Sequence, residues 1–319
     1  MVERVTADLP ALKGRSVVSL MEWTPEEIRQ LLKTAQWMKA NRNVVETRNL
    51  LSGKHVALLF ELPSTRTRVS FQVALGSLGA EMVWMDWGST QLGRGESLED
   101  TARVLSRYVD GIVVRAKKHE TVQVLRRFTT IPVFNALTDR AHPFQVLADA
   151  LTISEEFGGC SEIKLSYLGD GNNMAQSYLV IGAKLGMHVT IATPKGYGPS
   201  PEVVKWARAE SAMTGGSVTI TDDPEQAVFG ADVVATDVFV SMGDEGDTDN
   251  KRILMQKFQV NDKLMALAKS QAIFLHCLPA HRGEEVTGSV IDGLQSKVWD
   301  QAENRLWVQK STLAHVLAD

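Results

Sequence analysis

Cysteine is nearly absent from this chain: two residues in 319, Cys160 and Cys277. Two thiols are too few for a disulfide framework, which points to a reduced, cytoplasmic setting. No run approaches the ~18 apolar residues of a membrane span. Met1 to Arg15 mixes charges of both signs and lacks the apolar core of a signal peptide. A basic excess is missing too. There are 34 Lys and Arg against 38 Asp and Glu, a formal net charge of −4 at pH 7, whereas a nucleic-acid footprint usually needs surplus positive charge. Repeats, low-complexity tracts and long linkers are also lacking. With 44% hydrophobic and 23% charged residues, what remains is an ordinary globular composition. At roughly 150 residues per domain, the length suggests two domains.

Short apolar runs alternate with longer segments of helical periodicity, which predicts βα units and parallel sheets. The first series of runs falls at 54–60, 81–87, 111–116 and 132–137. The second falls at 164–169, 188–193, 217–221, 231–239 and 272–278. Between the two series, a helix over about 143–157 is striped by Val146, Ala150, Ile153 and Phe157 and ends at Gly158-Gly159. The expected fold is therefore α/β, with two domains, each a mostly parallel sheet flanked by helices, joined by a bridging helix. The boundary is placed at 148/149, giving domains of 1–148 and 149–300, with a last helix over 301–319.

In such sheets, ligands bind beyond the carboxyl ends of strands, and the chemistry-bearing segments fall there. Ser64-Thr65-Arg66-Thr67-Arg68 follows the first run and opens a stretch with Val69, Phe71, Val73, Leu75 and Leu78 at helical spacing. A helix N-terminus presents outward N–H groups and partial positive charge, so it favours an anion. Hydroxyls and guanidiniums on that turn suit phosphate oxygens. The simpler reading of the turn is a serine N-cap beside solvated arginines. Arg115 ends the third run. His142-Pro143-Phe144-Gln145 opens the bridging helix, with Pro143 suited to its first turn, so His142 and Gln145 could address a carbonyl or amide.

In the second half, Gly169-Asp170-Gly171-Asn172-Asn173-Met174 begins like a dinucleotide fingerprint but lacks its third glycine, and the next strand ends at Thr193-Pro194 without the acid that holds a ribose. This argues against an NAD-dependent dehydrogenase. Asn173 instead suits a small polar ligand. Asp237, followed by Ser241-Met242-Gly243, suits an ammonium group. His276-Cys277-Leu278-Pro279 ends the last run; strand neighbours point to opposite faces, which weakens a metal reading and leaves Cys277 facing the site. Arg305, in the C-terminal helix, is one more cation available to an anion.

Taken together and in this order, these segments closely resemble the ornithine carbamoyltransferases, within the wider aspartate/ornithine carbamoyltransferase family. The likeness runs from about Arg15 to the last helix. It implies a carbamoyl-phosphate domain followed by an ornithine domain, with the C-terminal helix packing back on the first. It also implies a homotrimer or multiple of trimers with no cofactor and no metal. Carried onto matching positions, Ser64, Thr65, Arg66 and Thr67 would hold the phosphate. Arg115, His142, Gln145 and Arg305 would address the carbamoyl side, and Gln91 would enter a neighbouring subunit's site. Asn173, Asp237, Ser241 and Met242 would bind L-ornithine, with Cys277 and Leu278 where the substrates meet. The catalytic set would be Arg115, His142, Asp237 and Cys277. The implied reaction is carbamoyl transfer to the side-chain amine of ornithine; another amine such as putrescine is the alternative acceptor. Three departures from the family pattern stand out: Leu62 before Pro63-Ser64, Phe144 within His-Pro-x-Gln, and Phe239 after Asp237-Val238.

Overall fold

The computed structural model describes residues 12–42, 44–240 and 248–319. The chain divides into two compact units, Met1–Ala148 with Asn304–Asp319, and Asp149–Glu303. In the first unit, helix α1 (Pro25–Ala40) precedes strands β1 (His55–Phe60), β2 (Glu81–Asp86), β3 (Gly111–Arg115) and β4 (Val133–Leu137). Helices α2 (Thr65–Ser77), α3 (Leu98–Leu105) and α4 (His119–Phe128) connect the strands, and α5 (Pro143–Phe157) runs through the division at 148/149. All strands are parallel, in the order β2-β1-β3-β4.

The second unit has β5 (Lys164–Leu168), β6 (His188–Ala192), β7 (Ser217–Thr221), β8 (Val233–Thr236) and β9 (Ile273–His276). These too are parallel, in the order β7-β6-β5-β8-β9. Its helices are α6 (Asn173–Leu185), α7 (Pro201–Thr214), α8 (Pro224–Val228), α9 (Thr248–Met255), α10 (Asp262–Met265) and α11 (Gly288–Ile291). The last, α12 (Val298–Leu317), starts earlier than the sequence suggested and runs through the division at 303/304. The two parallel α/β sheets read from the sequence are thus present.

Burial explains the nine runs. Central strands β3 and β8 are buried at every position, as a sheet covered on both faces requires. Edge strands β2 and β7 alternate between more and less exposed residues. On helix α2 the apolar residues divide between core and surface. Phe71, Leu75 and Leu78 enter the core, but Val69 and Val73 are 51% and 48% exposed. Two apolar stripes are present, and only one can face the sheet. Residues 304–317 pack within the first unit: the Ser311 hydroxyl donates to the Leu31 carbonyl at 2.8 Å, and His315 Nε2 meets Thr34 Oγ1 at 2.9 Å.

Each sheet reverses its strand order once, between β1 and β3 in the first unit and between β5 and β8 in the second. Ligands of open α/β sheets bind past the carboxyl ends of strands at such a reversal. The turn at Ser64 and the residue Arg115 follow or end β1 and β3. The loop Gly169–Asn172 and the residue Asp237 follow β5 and β8.

Candidate active site

At the reversal in the first unit, Ser64 caps α2: its hydroxyl accepts the Thr67 N–H at 3.3 Å. The serine N-cap reading is thus observed, and it leaves room for an anion, because the cap fixes the helix end whose N–H groups point outward. The two guanidiniums of the turn separate. Arg68 stacks 3.9 Å over the Trp84 ring, whereas Arg66 is exposed beside Thr65. Thr67 is fully buried, and its hydroxyl accepts from Arg305 Nη2 at 2.7 Å. That bond ties Arg305, late in the sequence, to the first turn of α2.

Arg115, His142, Gln145 and Arg305 are all buried. The His142 carbonyl accepts the N–H groups of Gln145 and Val146, as the residue preceding a helix does. Burial, and then the nearby charges of Arg305 and Arg115, hold the His142 imidazole well below its ordinary pKa. It is therefore neutral near pH 7 and can donate a hydrogen bond without adding a third cation. Phe144 turns away from chemistry and meets Phe71 edge-on, with ring centroids 5.1 Å apart. Gln91 is exposed on a short helical turn, Gln91–Arg94, anchored by buried Leu92. Only glycine fits at Gly93, where a Cβ would lie 2.8 Å from the Gly88 carbonyl oxygen.

In the second unit, the nearly buried Asp237 is the centre of a network. Its Oδ1 accepts the Val238 N–H at 2.8 Å and the Cys277 thiol at 3.0 Å. Its Oδ2 accepts from Asn172 Nδ2 at 2.8 Å. Asn172 also caps α6, its Oδ1 accepting the N–H groups of Met174 and Ala175. Asn173 is the first residue of α6. Gly171 owes its place to packing: a Cβ would stand 2.2 Å from the Gly198 carbonyl carbon. Phe239 is buried in the core of this unit. Ser241 and Met242 lie outside the described residues.

The end of β9 is held by side chains that the sequence reading did not single out. The His276 N–H donates to Gln301 Oε1 at 3.0 Å, and Gln301 Nε2 donates to Asp149 Oδ1 at 2.6 Å. The His276 ring meets Glu285 Oε1 at 3.0 Å. Burial alone would push the Glu285 carboxyl up, but hydrogen bonds from His276 and the His281 N–H hold it below its ordinary value. Asp237, His276 and Cys277 place ligand atoms within 4.8 Å of one another, as do His281, Glu284 and Glu285. The strand-alternation argument against a first group of this kind therefore fails, because β9 ends at His276 and the chain turns there. What weighs against a metal is that both ring nitrogens of His276 are engaged, Nε2 with Glu285 and Nδ1 with the Leu278 N–H.

Asn172 was missed in favour of its neighbour, although Asn is a strong helix N-cap residue and the cap was the available signal. Gln301 and Glu285 carried no local signal at all, since their partners are distant in sequence or lie on another element.

Residues 15–155 match the carbamoyl-P binding domain of aspartate/ornithine carbamoyltransferases, and residues 161–316 match the Asp/Orn binding domain. The ornithine carbamoyltransferase of Halalkalibacterium halodurans is 49% identical over 307 residues, covering 96% of both chains. One from Pyrococcus furiosus, named anabolic, is 48% identical over 96% of this chain and 98% of its own. The solved structure of a Pyrococcus furiosus ornithine carbamoyltransferase superposes with a TM-score of 0.92 at 49% identity, covering 96% of this chain and 98% of that one. With the two family domains matched over residues 15–155 and 161–316 and relatives 48–49% identical over 96% of its length, this chain belongs to the aspartate/ornithine carbamoyltransferase family.

Proposed function

We propose that the chain transfers the carbamoyl group of carbamoyl phosphate to the side-chain amine of L-ornithine, giving L-citrulline and phosphate. The observation that carries this reading is the pair of oppositely charged clusters at the two strand-order reversals. The first suits an anionic acyl phosphate: a helix N-terminus, Arg66, and buried Arg115 and Arg305 around a neutral His142. The second centres on a carboxylate, suited to an ammonium or amine.

In this reading Ser64, Thr65 and Arg66 bind the phosphate, and Thr67 fixes Arg305 as well as lining the turn. His142, Gln145, Arg115 and Arg305 polarise the carbonyl, whose oxygen gains negative charge as the amine adds. Ornithine's side-chain ammonium, with an ordinary pKa of ~10.4, must first lose a proton. Asp237 and Cys277 orient that amine, and Asn173, Ser241 and Met242 hold the rest of the amino acid. The amine nitrogen forms the new bond to the carbonyl carbon. The carbon–oxygen bond to phosphate then breaks, phosphate leaves with the electron pair, and a nitrogen proton passes to it. Cys277 and Leu278 are assigned to the carbamoyl group under attack. No organic cofactor or metal has a step in this chemistry. Orientation and preset charge supply most of the rate.

The reading includes a homotrimer, or a multiple of trimers, in which Gln91 serves a neighbouring subunit. The exposed Gln91 turn supports it, as do the exposed apolar Val69, Val73 and Val83 on α2 and the edge strand β2. A cytoplasmic location is also part of the reading; neither cysteine forms a disulfide, and among the described residues no helix is long and apolar enough to cross a membrane. The deciding experiment is an acceptor panel with carbamoyl phosphate. Ornithine is carbamoylated with a far higher kcat/KM than putrescine, aspartate or N-acetylornithine, and a higher value for any of those three overturns the assignment.

A further inference from the structure

We propose that His276 and Glu285 are positioning residues for this reaction: the neutral His276 ring, oriented by Glu285, fixes the Cys277-Leu278 turn. The proposal rests on the assignment of that turn to the substrates.

Leu278 has φ +59, in the left-handed region that side-chain-bearing residues avoid. Such a residue persists only where its surroundings hold it. Here the Leu278 N–H donates to His276 Nδ1 at 2.9 Å. A ring nitrogen that accepts carries no proton, so the proton of the neutral imidazole sits on Nε2. That Nε2–H faces Glu285 Oε1 at 3.0 Å, and both side chains are wholly buried. Glu285 Oε1 also accepts the His281 N–H at 2.6 Å, which fixes the carboxylate from the chain beyond the turn. The His276 backbone is secured separately through Gln301 and Asp149.

The ring thus passes orientation in one direction, from a buried carboxylate to a strained backbone N–H. The adjacent Cys277 thiol stands 3.0 Å from Asp237 Oδ1. A small rotation of the turn alters both the thiol position and the Leu278 backbone. Displacements of about 1 Å in a reacting array cost on the order of 100-fold in rate. Sequence reading pointed to the cysteine and away from its neighbour, because strand neighbours point to opposite faces.

Two substitutions separate positioning from mere core packing. In His276→Asn, the side-chain oxygen stands near the place of Nδ1, so it accepts the Leu278 N–H but does not reach Glu285. In His276→Gln, the amide nitrogen stands near the place of Nε2, so it satisfies Glu285 but offers nothing to Leu278. Positioning predicts a crossed result. The Asn variant melts at a lower temperature yet keeps kcat within about threefold. The Gln variant keeps the higher melting temperature but loses roughly 100-fold in kcat, with the carbamoyl phosphate KM unchanged. If kcat instead follows melting temperature, Gln above Asn, or falls equally in both, the proposal is wrong. Cys277→Ala distinguishes the underlying assignment: if it retains parental kcat, the turn lies outside the site and that reading fails, not merely the histidine's role. Nitrogen-15 shifts of His276 in the unsubstituted, histidine-labelled protein give an independent readout. An accepting Nδ1 with a protonated Nε2 supports the proposal, and a protonated Nδ1 overturns it.

Discussion

The two units share a sheet plan but hold charge in opposite ways. In the first unit, two buried guanidiniums surround a histidine kept neutral, and the helix end beside them adds partial positive charge. In the second, a single carboxylate is surrounded by a backbone N–H, a thiol and an amide. A guanidinium stays cationic over the whole working range, so it serves a ligand that is always anionic. The ligand proposed for the second unit arrives as an ammonium and reacts as an amine. A carboxylate whose lone pairs are already shared with three weak donors suits that change. The same kind of parallel sheet thus carries buried guanidiniums at the strand ends of one unit and a carboxylate with shared lone pairs at those of the other.

The strongest way to break this comparison is to remove one charge from each unit. Arg66→Ala should lower kcat by ~100-fold or more and weaken carbamoyl phosphate, with overall folding intact. Asp237→Asn should lower kcat/KM for ornithine by a comparable factor and leave the carbamoyl phosphate KM near its parental value. Steady-state kinetics with each substrate varied in turn checks both. Effects that fall on the same substrate in both variants would abolish the division of labour.

Next in size is recovery by mixing. Arg66→Ala and Gln91→Ala chains, each nearly inactive, are refolded together. If Gln91 serves a neighbour, a Gln91→Ala subunit that receives the loop of an Arg66→Ala subunit regains a complete site, and citrulline formation returns. Mixed oligomers confirmed by mass but still silent would place Gln91 in its own subunit's site.

A smaller effect concerns the thiol beside Asp237. A thiol reagent should inactivate the enzyme in the Cys160→Ser background, where Cys277 is the remaining target, and an ornithine analogue with carbamoyl phosphate should slow the loss. Unprotected, equally fast modification would remove Cys277 from the pocket.

How much of this was legible in the sequence follows from the range of each interaction. All nine runs became strands: the central ones are buried on both faces and need continuous apolar residues, and the edge strands β2 and β7 kept an alternating pattern, both of which leave a local mark. The clusters at their ends were legible for the same reason: a strand end followed by a helix start is a local event. On α2 the sequence showed two apolar stripes, Val69 with Val73 and Phe71 with Leu75 and Leu78, and spacing cannot tell which of them meets the sheet. Glu285 and Gln301 were illegible for a different reason. Their importance lies in bonds to His276 and Asp149, partners that no periodicity connects.

The smallest expected effect again contrasts the units, through acid. Burial lowers His315 in the first unit from the ordinary 6.5 to about 4, and His119 and His142 are also lowered. Between pH 6.5 and about 4 the unfolded chain binds a proton at residue 315 that the folded chain refuses, so stability falls as pH falls, by roughly 3 kcal/mol across that window. Glu285 in the second unit is held below its ordinary carboxylate value, so its contribution is lost only at lower pH. Hydrogen exchange at pH 7 and pH 5 should show protection falling first in segments of the first unit. His315→Gln, which takes up no proton, should flatten that dependence. An earlier loss in the second unit would contradict the contrast.

The bond from Arg305 to Thr67 has a consequence for the order in which the protein can become active. The helix turn assigned above to phosphate is synthesised early, but the guanidinium that grips its threonine is made 238 positions later. A nascent chain can form β1 and α2 while still on the ribosome, yet it lacks that clasp until the final helix emerges. Products of premature termination before Arg305 therefore carry the anion-binding turn without its fastening. Whatever this bond secures is in this way deferred until α12 has been synthesised.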